Sequence, residues 1–159
     1  MLKNHLAVTL TCILMILLIN LSPAAAQDQP ATSKGQTVYV PAYSHIYHGN
    51  RESPLLLTIT ISIRNISPTG SITVTGVDYY DTKGAEVKKY LAAPLVIGPF
   101  GSERFVVPES DKTGGSGANF IVKWHSASPL NPPIIETIMI GTQNQLGVSF
   151  TSRGQAISQ

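Results

Sequence analysis

The sequence predicts an all-β fold, a single antiparallel β-sandwich, preceded by a cleaved N-terminal signal peptide. Three observations support this prediction. An apolar N-terminal segment ends in small residues, apolar side chains then recur at every second position, and turn residues interrupt these runs at short intervals. From residue 27 onward, no stretch of ten or more residues shows a capped apolar stripe with the helical period.

Residues 1–26 have the order of a secretory signal peptide. Lys3 and His5 precede an uncharged apolar run at residues 6–19, and Ala24 and Ala26 complete an Ala-Xaa-Ala cleavage pattern. The run is shorter than the roughly 20 residues that a membrane-spanning helix needs, so a retained anchor is the poorer interpretation. We expect cleavage after Ala26, with no integral membrane segment left, and a periplasmic or extracellular mature protein.

Cysteine content and charge exclude several classes of function. The only cysteine, Cys12, lies within the predicted signal peptide, so the mature chain has no thiol for a disulfide, a thiolate nucleophile or a zinc–thiolate site. Without Lys3 the chain has ten basic and nine acidic residues. This balance indicates no nucleic-acid partner and no electrostatic binding to an anionic membrane.

Polar residues 27–35 show no periodicity, so we expect a flexible leader before a folded domain at residues 36–152. The clearest alternation lies at residues 55–64. Its inward side is apolar and consists of Leu55, Leu57, Ile59, Ile61 and Ile63. A period of two predicts a strand with one buried face.

The following strand, from Ile72, shows an irregular alternation. A turn at Pro68-Thr69-Gly70 precedes it, and the inward pattern slips by one residue between Val74 and Val77. A β-bulge at Gly76 would account for this slip, because a bulge inserts one extra residue into a strand.

Shorter apolar runs predict the remaining strands at residues 86–91, 95–97, 103–107, 119–125, 134–140 and 147–151. Lys88 and Lys89 make the first of these typical of a sheet edge. Residues 153–159 are expected to form a tail. Short strands bounded by turns predict a sandwich like immunoglobulin and fibronectin type III domains in broad architecture, without the cysteine pair of antibody domains.

The segment from Val38 to Arg51 has the densest concentration of aromatic and hydrogen-bonding side chains. On one strand, Tyr43, His45 and Tyr47 would share a face, with Arg51 in the loop beyond. Such a row could stack on a sugar or bind a peptide. The alternative is that tyrosines at a period of two are core residues.

Histidines give a second candidate site. His45, His48 and His125 could bind a metal ion, since imidazole is a good ligand for zinc and copper. Residues three apart on a strand face opposite sides, so His45 and His48 converge only if the chain bends after Tyr47.

Two other motifs are read as structural. Asp78 and Asp81 at a strand end, and Glu109 and Asp111 in a long loop, fit solvated turn acids better than a glycosidase pair or a calcium site. The glycine-rich segment at residues 114–119 lacks the lysine and the following helix of a phosphate-binding loop, and we expect a flexible or tightly turning connection there.

Five sequence blocks stand out along the chain: QTVYVPAYSHIY at residues 36–47, SIRN at 62–65, VDYYD at 77–81, GGSGANF at 114–120 and MIGT at 139–142. Together these blocks resemble the bacterial domain-of-unknown-function 3124 family. The resemblance spans residues 36–151 and implies a small exported bacterial domain. It implies no activity, cofactor or catalytic residue.

The sequence therefore predicts a non-enzymatic exported domain that uses no cofactor and binds a protein, peptide or glycan of the cell envelope through residues 43–51. Two alternatives stay open. One is a metal-binding protein or hydrolase built on His45, His48 and His125. The other is an envelope assembly accessory domain that pairs an exposed edge strand with a partner.

Overall fold

A computed structural model describes residues 31–142 and 147–157 of the chain. These residues form strands, turns and loops without a helix, which confirms the all-β prediction. Accordingly, none of them supplies a helix that is long and apolar enough to cross a membrane. The predicted signal peptide at residues 1–26 lies outside the described residues.

The strands in chain order are β1 (Ser33–Pro41), β2 (His45–His48), β3 (Ser53–Leu56), β4 (Thr58–Arg64), β5 (Ile72–Tyr80), β6 (Glu86–Lys89), β7 (Leu95–Ile97), β8 (Ser102–Val107), β9 (Asn119–Leu130), β10 (Ile134–Gly141), β11 (Val148–Arg153) and β12 (Gln155–Ile157).

These strands form two larger sheets and one hairpin, in which every described pairing is antiparallel. The first sheet has the order β12-β1-β9-β5-β6, and β7 also pairs with β5. The second sheet has the order β11-β10-β4-β8. Strands β2 and β3 pair only with each other among the described strands, so this hairpin stands outside both sheets.

One hydrophobic core holds the two sheets together. The first sheet contributes buried side chains from three central strands, among them Val40, Tyr79 and Phe120, and the second contributes Ile61 and Met139. Side chains from both sheets belong to the same cluster, which gives a sandwich-like arrangement. Burial of apolar surface in this shared core is the main stabilising term of such a fold.

The alternation at residues 55–64 is confirmed, but the segment is not one strand. All five inward side chains are buried, and the chain nevertheless divides at Leu57 into β3 and β4. The Leu57 N–H donates a hydrogen bond of 2.9 Å to the carbonyl oxygen of Ser44, outside the sheet ladders. One continuous pattern therefore serves both the hairpin and the second sheet.

The predicted bulge is also present. Val74 is paired with Trp124 and Gly76 with Lys123, which leaves Thr75 as the extra residue of β5. Strand β6 lies at the edge of the first sheet with all four residues exposed, as Lys88 and Lys89 indicated.

The ends of the domain differ from the prediction. Strand β1 begins at Ser33, inside the predicted leader, and β12 lies inside the predicted tail. The tail prediction missed β12 because all three of its residues are exposed, so they carry no inward–outward alternation. Backbone pairing with β1 defines this strand, and Thr37 lies opposite Ile157.

Asn65 organises the loops that follow β4. Its side chain is buried, and Nδ2 donates to the carbonyl oxygens of Gly70 (2.8 Å), Ile97 (3.1 Å) and Gly98 (2.9 Å). Its Oδ1 accepts a hydrogen bond of 3.0 Å from the backbone N–H of Ser67. One amide thus satisfies backbone groups from two segments, residues 67–70 and residues 97–98.

The substitution Asn65→Ala should lower the free energy of unfolding by at least about 2 kcal/mol, because it leaves several buried backbone groups without partners. Chemical denaturation measures this change. The control is Asn50→Ala, at an exposed position of the hairpin turn, which should change stability by less than about 0.5 kcal/mol. Equal stability of the two variants would contradict the role given to Asn65.

Candidate functional site

The hairpin β2–β3 carries most of the side chains that the sequence marked as a contact surface. Their arrangement differs from the single row that was predicted. Strand β1 ends at Pro41 and β2 begins at His45, so Tyr43 precedes the strand that carries His45 and Tyr47. The expectation of three residues on one strand face is therefore wrong for Tyr43.

Tyr43 has a structural role. Its half-buried ring packs against the core and makes an edge-to-face contact with Phe150, with 5.7 Å between ring centroids. For this residue the alternative interpretation as a packed tyrosine describes the structure better than a free contact residue.

His45 and Tyr47 form an ordered aromatic pair on β2. Their ring centroids are 5.1 Å apart at an interplanar angle of 88°, and His45 Nε2 lies 3.2 Å from the Tyr47 hydroxyl oxygen. The Tyr47 side chain is 54% exposed. A large aromatic ring is thus held in one orientation while it stays open to solvent, which is typical of binding surfaces.

Arg51 and His48 lie near the tip of the hairpin, where both are exposed. His48 pairs with Ser53 at the end of the ladder, and Arg51 lies in the turn between the strands. We use the name hairpin surface for four residues: the pair His45–Tyr47, the exposed Pro54 opposite Tyr47, and Arg51.

The three histidines predicted as metal ligands are not brought together. His45 and His48 lie on β2 of the hairpin, whereas His125 lies on β9 of the first sheet. Across residues 31–142 and 147–157, no three histidine, cysteine or acidic side chains come close enough to hold a metal ion. The separation follows from strand geometry, since two residues three apart point to opposite sides and β9 belongs to a different sheet.

Ser44 attaches the hairpin to the glycine-rich loop at residues 114–117. The N–H of Gly115 donates to Ser44 Oγ (2.9 Å), while the backbone N–H (3.0 Å) and the hydroxyl (3.2 Å) of Ser44 donate to the carbonyl oxygen of Gly115. Ser44 is fully buried. These bonds fix the start of β2 against a loop that is about 70 residues distant in sequence.

Thr82 fixes the same loop from the other side. Its hydroxyl donates to the carbonyl oxygen of Gly114 (3.0 Å) and accepts from the N–H of Gly117 (3.0 Å), and its own N–H also donates to Gly114 (2.9 Å). The N–H groups of Gly115 and Gly117 are therefore engaged within the protein. This agrees with a tightly turning connection and not with a phosphate cradle.

Gly114 lies against the hydroxyl of Tyr79. A Cβ atom at this position would overlap the Tyr79 hydroxyl and would lie 2.6 Å from its Cζ, so a larger residue does not fit. The Tyr79 side chain is 1% exposed, and within the described residues its hydroxyl has no hydrogen-bond partner. Burial, and secondarily the negative charge of Asp111, raises the pKa of Tyr79 above its ordinary value.

Two of the acidic residues form turn caps, as the sequence indicated. Asp81 Oδ1 accepts from the backbone N–H groups of Lys83 and Ala85, each at 2.8 Å. Asp111 Oδ1 accepts from the backbone N–H of Thr113 at 2.9 Å. These bonds explain why the two carboxylates lie where the chain turns.

A comparison with protein-family models identifies the family. The model described as "Protein of unknown function (DUF3124)" matches residues 35–157, which is most of the chain. The chain belongs to the DUF3124 family. No curated protein matches this DUF3124 chain.

Among solved structures, the DUF3124 domain is similar to the crystal structure of Thermotoga maritima 1070. The identity is 9%, the match covers 76% of this chain and 92% of that chain, and the TM-score is 0.46.

Three of the blocks that carry the DUF3124 resemblance meet at one end of the domain. The block at residues 36–47 supplies Ser44, the block at 77–81 supplies Tyr79 and leads directly into Thr82, and the block at 114–120 supplies the glycine loop. The sequence marks each of these segments separately but does not indicate that they contact one another. The small residues of the loop were the one available signal, since close backbone approach requires them.

Tyr79→Phe should leave the free energy of unfolding unchanged or raise it by roughly 1 kcal/mol, because the lost hydroxyl is buried without a partner. Thermal and chemical denaturation of the variant test this. Tyr39→Phe, at an exposed position, serves as the control and should have no effect. A loss of more than about 1 kcal/mol in Tyr79→Phe would show that the hydroxyl has a partner.

The same tyrosine predicts a pH dependence. In the unfolded chain Tyr79 loses its proton near pH 10, whereas its raised pKa keeps it protonated in the fold. Its contribution to stability is therefore complete below pH 10 and declines as the pH rises above 10, approaching about 1.4 kcal/mol per pH unit. Tyr79→Phe lacks this decline, so the stability difference between the two proteins should shift in favour of the variant in alkaline titrations. Parallel curves would contradict the raised pKa.

Proposed function

We propose that this protein is an exported, non-enzymatic binding domain and that the hairpin surface contacts a partner in the bacterial cell envelope. The orientation of Tyr47 is the observation that carries the proposal. An exposed tyrosine ring gains binding energy from burial, and a ring that is already oriented by His45 loses little entropy on binding.

The position of the hairpin supports the same function. It lies outside both large sheets, so a partner could cover it without disturbing the core. Ser44 attaches its base to the glycine loop, and Ile46 packs against the core. A rigid base under a half-buried histidine and an exposed tyrosine is an arrangement that favours recognition.

A catalytic role for this segment is less well supported. Ser44 Oγ lies 3.5 Å from His45 Nδ1, which is reminiscent of a nucleophile beside a base. However, Ser44 is fully buried and hydrogen-bonded to Gly115 in both directions. A hydroxyl that no substrate can reach has a structural role.

Export is proposed from the sequence of residues 1–26, which has the charged, apolar and small-residue regions of a signal peptide in order. The finer comparison of the fold with immunoglobulin and fibronectin type III domains is likewise a proposal. Its support is that two antiparallel sheets share one core.

The side chains of the hairpin surface favour a protein or peptide partner. Tyrosine and arginine are enriched among the residues that dominate protein–protein binding energy, and both are exposed here as Tyr47 and Arg51. Pro54 beside Tyr47 adds rigid apolar area. A glycan that stacks on Tyr47 is the other class of partner to be distinguished by experiment.

Tyr47→Ala should weaken binding of the purified protein to isolated native envelopes by about tenfold or more, measured by co-sedimentation of labelled protein. The melting temperature should not change, because the ring is largely exposed. The matched control is Tyr39→Ala, since Tyr39 is 37% exposed but lies on β1, outside the hairpin.

Envelopes treated beforehand with protease or with glycan hydrolases identify the class of partner. Loss of binding after protease treatment alone supports a protein partner, whereas loss after glycan hydrolysis alone assigns a glycan. Unchanged binding of Tyr47→Ala, or an equal loss in Tyr39→Ala, would show that the hairpin surface is not the contact.

A further inference from the structure

A groove of about 580 Å³ lies on the first sheet, on the face that points away from the core. Four neighbouring strands, β12, β1, β9 and β5, form its floor and walls. Its volume falls in the range of small-molecule sites, about 300–1,000 Å³. The hairpin surface contributes none of the residues that line it.

A β-bulge and a second register irregularity lie at this groove. Strand β1 shifts register against β9 between Ser33 and Gly35, and β5 shifts register against β9 between Val74 and Gly76. Both irregularities therefore flank the same stretch of β9, around His125. Bulges are common beside functional sites, because they bend a strand and redirect its side chains.

Glycine is required at one wall of the groove. A Cβ atom on Gly35 would lie 2.8 Å from the carbonyl oxygen of Trp124, so β1 approaches β9 there more closely than any larger residue allows. Gly35 also leaves the groove open beside His125, with which it is paired.

The groove has a cationic side and an apolar side. Lys123 and His125 are two residues apart on β9 and share the outward face, where both are exposed. Ile157, which is 44% exposed, and Ala156 form the opposite wall on β12. Thr37 on β1 is paired with Ile157 on one side and with Lys123 on the other. Two strand spacings therefore separate the two walls, which is roughly 10 Å.

Hydrogen-bonding groups complete the lining. Thr75, the extra residue of the β5 bulge, is exposed and its hydroxyl donates a hydrogen bond of 3.4 Å to the carbonyl oxygen of Lys123. Gln36 lines the groove from β1. The Asp78 carboxylate lies beside Gly76 of the β5 bulge, where its Oδ2 would be 3.5 Å from an added Cβ. Asp78 is not among the residues that line the groove, so the lining itself carries positive charge without a carboxylate.

We propose that this groove binds a small organic anion, with its carboxylate or phosphate group at Lys123 and His125 and its apolar part against Ile157. A charged group bound by the lysine ammonium and the imidazole gains charge-assisted hydrogen bonds. A span of roughly 10 Å suits a ring or short chain that carries one anionic group. This site is independent of the partner proposed for the hairpin surface.

The test uses benzoate and phenyl phosphate as carboxylate and phosphate probes, and benzamide as an uncharged probe of the same shape. Backbone NMR spectra of the labelled protein should show saturable shifts at Gly35, Gly76, Lys123 and His125 with at least one anion. We expect a dissociation constant on the order of millimolar for ligands this small. Benzamide should cause no saturable shift at these residues.

Lys123→Gln should weaken anion binding by about tenfold or more, while Lys83→Gln, at an exposed turn lysine outside the groove, should retain it. The folded spectrum of each variant verifies that the domain is intact. The relative affinities for benzoate and phenyl phosphate assign the anionic group. Equal binding of benzamide, shifts outside the groove only, or full binding by Lys123→Gln would overturn the proposal.

Discussion

The hydrogen bonds between Ser44 and Gly115 are the interaction on which the candidate site depends. They join the start of the hairpin to a loop far along the chain, and Thr82 holds that loop from its other side. Backbone groups in such a loop need partners when they leave solvent, and two hydroxyl side chains supply them here. Ile46 of the hairpin also packs against the core, so hydrogen bonds and apolar contact together attach the hairpin.

The shared core explains how the domain can carry the two surfaces that we propose as binding sites. Both sheets direct their large apolar side chains inward, so the outward faces and the hairpin are free to carry polar and aromatic groups. The hairpin surface presents an oriented tyrosine, whereas the groove presents a lysine and a histidine. A rigid interior thus supports sites that differ in chemistry.

Much of the fold could be predicted from the sequence because burial has a period of two in strands. Ile59, Ile61 and Ile63 identify β4, and the slip before Val77 identifies the bulge. Strand β12 could not be predicted, since backbone pairing alone defines it and its residues are exposed. For the candidate site, the sequence marks the segment with His45 and Tyr47 by its aromatic residues. It does not indicate the contacts of Ser44 and Tyr79 with the glycine loop, because these join residues distant in sequence.

Hydrogen exchange of the backbone amides tests the central connection most directly. The account predicts that the amides of Gly115, Gly117 and Leu57 exchange slowly, because each donates a hydrogen bond that anchors the hairpin or the glycine loop. The amide of the exposed Lys112 in the adjoining loop provides the reference for fast exchange. Exchange of Gly115 and Gly117 as fast as that of Lys112 would contradict the account, since the hairpin would then have no fixed base.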